Sequence, residues 1–252
     1  MRFTFLFVYG TLLFLATIPV TGQIDNMAGS GACGGERSVT YHEDQYALVE
    51  IGKQCWFKEN LRSSRYQNGE EIPGGLNDYQ WVNADGGAQS VYGEGSSEVL
   101  SGSNDEETNL KIYGRLYNWY AVRDSRNLCP QGYHVPSDSE WMTLEMALGM
   151  TAAQVNDEWT RGTDEGLKLK ASSTDSNAWD GTNSSGFSGL PGGGRSYEGG
   201  YFRFQENNGY WWTSSPAEMG IWYRYLGIME PVIHRRITDE NFGASVRCLR
   251  DE

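Results

Sequence analysis

Four cysteines, Cys33, Cys55, Cys129 and Cys248, constrain this chain more than any other feature of its sequence. They are widely spaced and none forms a Cys-x-x-Cys pair, which argues against zinc or thioredoxin-like chemistry. The start of the chain gives them meaning. "MRFTFLFVYGTLLFLATIPVTGQ" opens with one positive residue, Arg2, and continues as an apolar run to about Val20. Val20 and Gly22 suit the −3 and −1 positions of a signal-peptidase site. Residues 1–22 therefore read as a secretory signal, cut before Gln23. Gly10 and Thr11 interrupt a run already short for a membrane span. An even set of cysteines in an exported chain predicts two disulfides. Four cysteines allow three pairings, and spacing alone leaves all three open.

"GSGAC" before Cys33 lacks the apolar residue of a lipoprotein signal, so no lipid anchor is expected. No later segment is long and apolar enough to cross a bilayer as a helix. The expected location is outside the cell or on its surface. Asp and Glu number 33 against 20 Lys and Arg, a formal net charge of −13. That balance excludes a nucleic-acid partner and an anionic membrane surface, both of which need a basic face. It favours solubility outside the cell.

The 252 residues suit one domain with an extension. Residues 23–44 are polar and Gly-rich and read as a loose leader. "YALVEIGKQCWFKENL" reads as two short strands around Gly52-Lys53, a tight hairpin. Residues 66–110 contain no Lys or Arg and nine Asp or Glu. Most of that stretch reads as a long acidic surface loop or insertion. "LKIYGRLYNWYAVRDS" places Ile112, Leu116, Trp119 or Tyr120, and Arg123 at helical spacing, which predicts one amphipathic helix. From about residue 186, aromatic and β-branched runs separated by Gly, Pro and Asn predict successive antiparallel strands. Helices first and a sheet last indicate an α+β fold.

"CPQGYHVPSDSEW" marks the start of a second helix. Ser137 and Glu140 form a capping box, in which each side chain serves the other's backbone N–H. Asp138 and Glu140 suit the positive helix N-terminus, and Trp141, Leu144 and Leu148 share one face before a stop at Gly149. His134 lacks a partner the sequence can name, so it is expected to be a hydrogen-bonded histidine and not a catalytic base.

Six ordered motifs, "IGKQCWFKENL", "YGRLYNWYAV", "CPQGYHVPSDSEWMTL", "SSGFSGLPGGGRSYEG", "YWWTSSP" and "FGASVRCLRD", resemble the Fibrobacter succinogenes major paralogous domain, a family of exported bacterial domains without established activity. The resemblance covers residues 45–252, with the acidic stretch at about 77–109 as an insertion. It implies a C-type-lectin-like fold: two helices on a small, twisted, mostly antiparallel sheet with long loops. Its "G-x-x-x-P-[ST]-x-x-E-W" helix start is similar to that of formylglycine-generating enzymes. The resemblance also implies a disulfide from Cys129 before the helix to Cys248 in the last strand, and with it Cys33 to Cys55.

The implied chemistry is restricted. Formylglycine-generating relatives use a pair of reactive cysteines late in the domain, where this chain has Cys248 alone. No GxSxG, HExxH or P-loop is present. His42, His134 and His234 stand in no ligand spacing. The 33 acids leave a carboxylate pair for glycoside hydrolysis open. "STDSNAWDGTNSSGF" holds Asp175, Asn177, Asp180 and Asn183, oxygen donors suited to calcium. The EF-hand pattern fails at Trp179, and a turn-rich loop is the expected reading. The lectin sugar-binding tripeptides are missing as well.

The aromatic residues of the last sheet offer more. Trp211, Trp222, Tyr223 and Tyr225 fall in predicted strands, where alternate side chains face opposite sides. Trp211 and Trp212 are expected not to point inward together, and Tyr223 and Tyr225 are expected to lie opposite Trp222 and Arg224. One face would form a stacking platform with Arg224 and Arg195 as donors. The leading expectation is a non-catalytic exported recognition or adhesion module for polysaccharide or an extracellular protein, with calcium as the one candidate cofactor. A diverged enzyme and a purely structural surface component are the alternatives.

Overall fold

The computed structural model describes residues 1–2, 31–96 and 98–252. Residues 3–30, which hold the expected signal peptide after Arg2 and the start of the leader, lie outside the described residues. The end of the expected leader is a strand: β1 (Ser38–Tyr41) pairs antiparallel with β2 (Asp44–Ile51). Its Val-Thr-Tyr run favours extended backbone, and Tyr41 is buried. β2 turns at Gly52, φ +62°, into β3 (Gln54–Phe57), the predicted hairpin.

The acidic stretch is more than a surface loop. It contains α1 (Asp78–Val82), β4 (Gln89–Ser90) and the start of α2 (Glu106–Tyr113). Trp81 is buried, and its Nε1 donates to the carbonyl of Asn241 at 2.7 Å. Tyr92 packs with Leu116 and Phe202 in a small core of its own. Most of the acids are exposed while Tyr66, Trp81 and Tyr92 fill the interior, and Tyr79 alone of the aromatic residues stays outside.

The single amphipathic helix predicted from Leu110 onward is instead broken. α2 stops at Gly114, which has φ +75°, and a Cβ there would lie 2.9 Å from the Leu61 carbonyl oxygen. The chain continues as β5 (Leu116–Tyr117) and α3 (Trp119–Val122), capped by Asn118. Tyr117 N–H donates to Ala244 O and Trp119 N–H to Glu240 O, so tertiary bonds replace those of a continuous helix.

After β6 (Tyr133–His134) comes α4 (Asp138–Leu148), with the capping box in place. Ser137 Oγ accepts from Glu140 N–H at 3.3 Å, and Glu140 Oε2 accepts from Ser137 N–H at 2.7 Å. β7 (Trp159–Arg161) and α5 (Glu165–Leu169) follow. Strands close the chain: β8 (Gly192–Arg195), β9 (Phe202–Gln205), β10 (Asn208–Ala217), β11 (Gly220–Gly227), β12 (Ile233–Thr238) and β13 (Leu249–Arg250).

The fold is α+β. In place of one small sheet there is a five-stranded sheet, β1-β2-β3-β13-β6, a six-stranded sheet, β7-β12-β11-β10-β8-β9, and the pair β4-β5. Pairing within these sheets is antiparallel except between β10 and β8. Both faces of the central strands are covered. Trp56 and Trp211 enter one core with Trp141 and Phe187, while their neighbours Phe57 and Trp212 enter another with Tyr46 and Phe242. Trp211 and Trp212 do point to opposite faces, but both are buried, because neither face of β10 meets solvent there.

Two devices brace the fold. Cys129–Cys248 and Cys33–Cys55 are disulfides, the pairing that the family resemblance implies. In addition, α4 presents Asp138 and Glu145 to a cluster of arginines. Glu145 bonds Arg161 and, at 2.7 Å, Arg224 Nε. Asp138 bonds Arg224 and Arg235, each at 2.7 Å. Glu145, Arg161 and Arg224 are all buried, so each charge depends on its partners for the solvation it has lost.

Candidate functional site

The six-stranded sheet carries an aromatic groove on the face that holds Tyr223 and Tyr225. Strand register builds it. Tyr225 pairs with Tyr210 on one side and with His234 on the other, while Tyr223 pairs with Arg236. Partners across a ladder share a face, so these side chains stand together. Phe242 closes the floor, edge-on to Tyr210 at 5.3 Å. Tyr197, Phe204 and Ile237 form the exposed rim of a cavity of about 400 Å³. Burial pushes the Tyr223 phenol up to about 12, and shifts Tyr210 and Tyr225 in the same direction. Their hydroxyls therefore stay protonated and able to donate.

Arg203 and Arg236 flank the floor. Each is stacked on an exposed aromatic ring: Arg203 on Phe204 at 5.2 Å, and Arg236 on Trp159 at 4.6 Å. Both rings sit on backbone that bulky residues avoid, with φ +65° at Phe204 and +70° at Trp159. Left-handed backbone at such residues costs roughly 1–3 kcal/mol and clusters at functional sites.

The other residues of the expected platform lie elsewhere. Arg224 belongs to the buried network under α4, on the opposite face of β11. Arg195 is fully buried, donating to Gly200 O and Leu76 O at 2.7 Å and stacking on Trp81 and Phe202. Trp211 is core. Trp222 is half-buried beneath Arg235, 3.7 Å from its ring. Sequence alternation placed Tyr223 and Tyr225 together but gave no sign of Arg203, Phe204 and Trp159, which the fold brings in from distant strands. The adjacent arginines of "HRRIT" are the one local hint, since only one of them can share the face of Tyr223.

The four residues of the candidate calcium loop do not come together: Asp175, Asn177 and Asn183 border one cavity, and Asp180 is turned away from it. Asp180 Oδ1 lies 2.8 Å from Lys170 Nζ, a cation the chain supplies itself. Asp175 Oδ2 accepts from Ser172 N–H at 2.7 Å and from Asn183 Nδ2 at 2.9 Å. Asn177 is exposed. These are the local bonds of a turn-rich loop. Among the described residues, no group of three or more His, Cys, Asp or Glu gathers at metal-binding distance. The cavity that Asp175, Asn177 and Asn183 border has a volume of about 240 Å³. Arg247 on its wall is buried, and burial lowers it to about 9. Its guanidinium is committed to Asn60 Oδ1 and the carbonyls of Phe187 and Ser188.

His134 bridges two carboxylates, with Nδ1 2.6 Å from Asp251 and Nε2 2.9 Å from Glu140. The Glu140 bond foremost, with Asp251 adding to it, holds the imidazole at about 9 against burial. It joins the cap of α4 to the segment after β13. None of the four cysteines is free.

Among the described residues, no helix is long and apolar enough to cross a membrane. Comparison with curated proteins and with solved structures finds no match. Comparison with protein families finds one, over residues 49–250: the chain belongs to the Fibrobacter succinogenes major domain family.

Proposed function

We propose that the chain is a non-catalytic recognition module, exported and active outside the cell or on its surface, that binds polysaccharide or protein through the aromatic groove. The observation that carries this reading is the groove itself. Tyr210, Tyr223 and Tyr225 sit on rigid strands, between arginines braced by exposed rings. Tyrosines of this kind combine an apolar face with a polar tip at little cost in conformational freedom. We also read the fold as a branch of the C-type-lectin-like class, on the strength of the α4 start and the disulfide from the helix entry to the last strand. Thiol chemistry of the formylglycine-generating kind would have to start from a free cysteine, and all four are bonded.

The test is a screen of the purified protein against glycans and surface proteins, with Phe204→Ala in parallel. Phe204 is 41% exposed, so its loss should leave the fold intact. Binding that falls about tenfold in the variant supports the reading, since aromatic anchors of this kind contribute 1 kcal/mol or more. Binding that the variant retains in full moves the site elsewhere. An empty screen argues for the structural alternative.

A further inference from the structure

Resting on that reading of the groove, we infer that its ligand is an acidic polysaccharide, bound through its carboxylates. The argument begins with charge. Acids outnumber bases 33 to 20 over the chain, yet the groove lining includes Arg203 and Arg236 and no Asp or Glu. Glu230, whose charge reaches Tyr225, is engaged by His234 at 2.5 Å.

The two arginines also differ from the buried ones. Arg161, Arg195, Arg224 and Arg247 all hold carbonyls or carboxylates of the fold. Arg203 and Arg236 make no ion pair and no side-chain hydrogen bond among the described residues. Their contacts with the fold are aromatic instead: Arg203 lies over Tyr201 and Phe204, and Arg236 over Trp159 and Tyr225. Stacking on Phe204 and Trp159 fixes them in place before a ligand arrives. A planar guanidinium fixed in this way is suited to bidentate capture of a carboxylate.

Two arginines on a chain of net charge −13 match a sparse anion. A polyphosphate or densely sulfated chain would be repelled by the remaining surface. One carboxylate per sugar, with a ring face to lay against Tyr223 or Tyr225, fits both features of the groove. A peptide fits less well. The aromatic floor lies on β10 and β11, interior strands whose backbone groups are already paired within the sheet, so an extended chain laid on it gains no ladder bonds there.

The experiment titrates the purified protein with oligogalacturonate and with its fully methyl-esterified form, which keeps the sugar and removes the charge. Neutral xylo-oligosaccharide and polyglutamate are run beside them. The expected result is binding of the acid form and about tenfold weaker binding of the ester. High salt should weaken the acid form, and Arg203→Gln and Arg236→Gln should each weaken it about tenfold, well beyond any loss they cause in the ester. Equal affinity for acid and ester overturns the inference and leaves the aromatic reading standing, as does binding of xylo-oligosaccharide alone. Binding of no saccharide overturns the inference and leaves the groove to a protein ligand. Polyglutamate competing as well as oligogalacturonate overturns the assignment to sugar and gives the groove to an acidic protein. Should an arginine variant not fold, acid against ester on the native protein still decides.

Discussion

The two disulfides close loops of very different length, and the difference sets an order of stability. Cys129–Cys248 spans 119 residues and Cys33–Cys55 spans 22. A crosslink lowers the entropy of the unfolded chain by about 2.1 + 1.5R ln n cal/mol/K. At 25 °C this is ~4.9 kcal/mol for the longer loop and ~3.4 kcal/mol for the shorter. All four cysteines are 3% exposed or less, so the packing lost on replacement is similar at both sites. Replacing each pair by alanine should therefore cost ~1.5 kcal/mol more at Cys129/Cys248 than at Cys33/Cys55. Urea unfolding followed by tryptophan fluorescence and far-ultraviolet dichroism measures both. The m value should rise in each variant, more for the longer loop, because the uncrosslinked chain expands further. If the Cys33/Cys55 variant is the less stable, loop length is not what these bonds supply. Their effect would then lie in holding β1 and the residues before it against the hairpin.

Three further outcomes are expected. Glu145→Gln should cost about 3–5 kcal/mol in urea unfolding, because it leaves Arg161 buried without a carboxylate and Arg224 with Asp138 alone. Asp138→Asn should cost less, since Asp138 and Arg235 are partly exposed. The raised affinity of His134 for its proton means that its bonds to Glu140 and Asp251 stabilise the fold fully below the unfolded value, about 6.5. That contribution is lost as the pH rises through about 9, so thermal melting should fall across this window in the native protein and more weakly in His134→Gln. Gly114→Ala should destabilise by about 1–3 kcal/mol in the same unfolding assay, because it adds a Cβ at φ +75°, ψ −158° and 2.9 Å from a carbonyl oxygen.

What the sequence made legible was local. The capping box at Ser137, the hairpin at Gly52 and the closing strands depend on neighbouring residues, and each forms as read. Periodicity misled where tertiary bonds overrode it. The stripe from Ile112 to Arg123 is real, but Gly114 divides it, and β5 takes its hydrogen bonds from β4 and Ala244. Composition misled at the acidic stretch, where a few aromatic residues, Trp81 and Tyr92 among them, decide burial whatever the average. At the site, alternation paired Tyr223 with Tyr225 correctly. It could not say which arginines are structural, because Arg195 and Arg224 find their partners through contacts across 119 and 86 residues. Arg203 and Arg236 are separated in sequence by two strands and meet only through sheet order.

The place of β13 governs when the protein can fold. Its two residues lie between β3 and β6, with Leu249 opposite both Trp56 and His134. Until residues 249–250 emerge from a ribosome or a translocation pore, the five-stranded sheet has a gap between β3 and its edge strand β6. The backbone groups of β3 and β6 are then open to pairing with other chains. Cys129 must also wait for Cys248. Local nucleation can proceed in α4 and the first hairpin, but closure is a single late event between ends far apart in sequence, the kind that proceeds slowly and exposes intermediates to aggregation. Chains arrested short of residue 249 should therefore stay open to proteases and dependent on holding chaperones, however much of their secondary structure has formed.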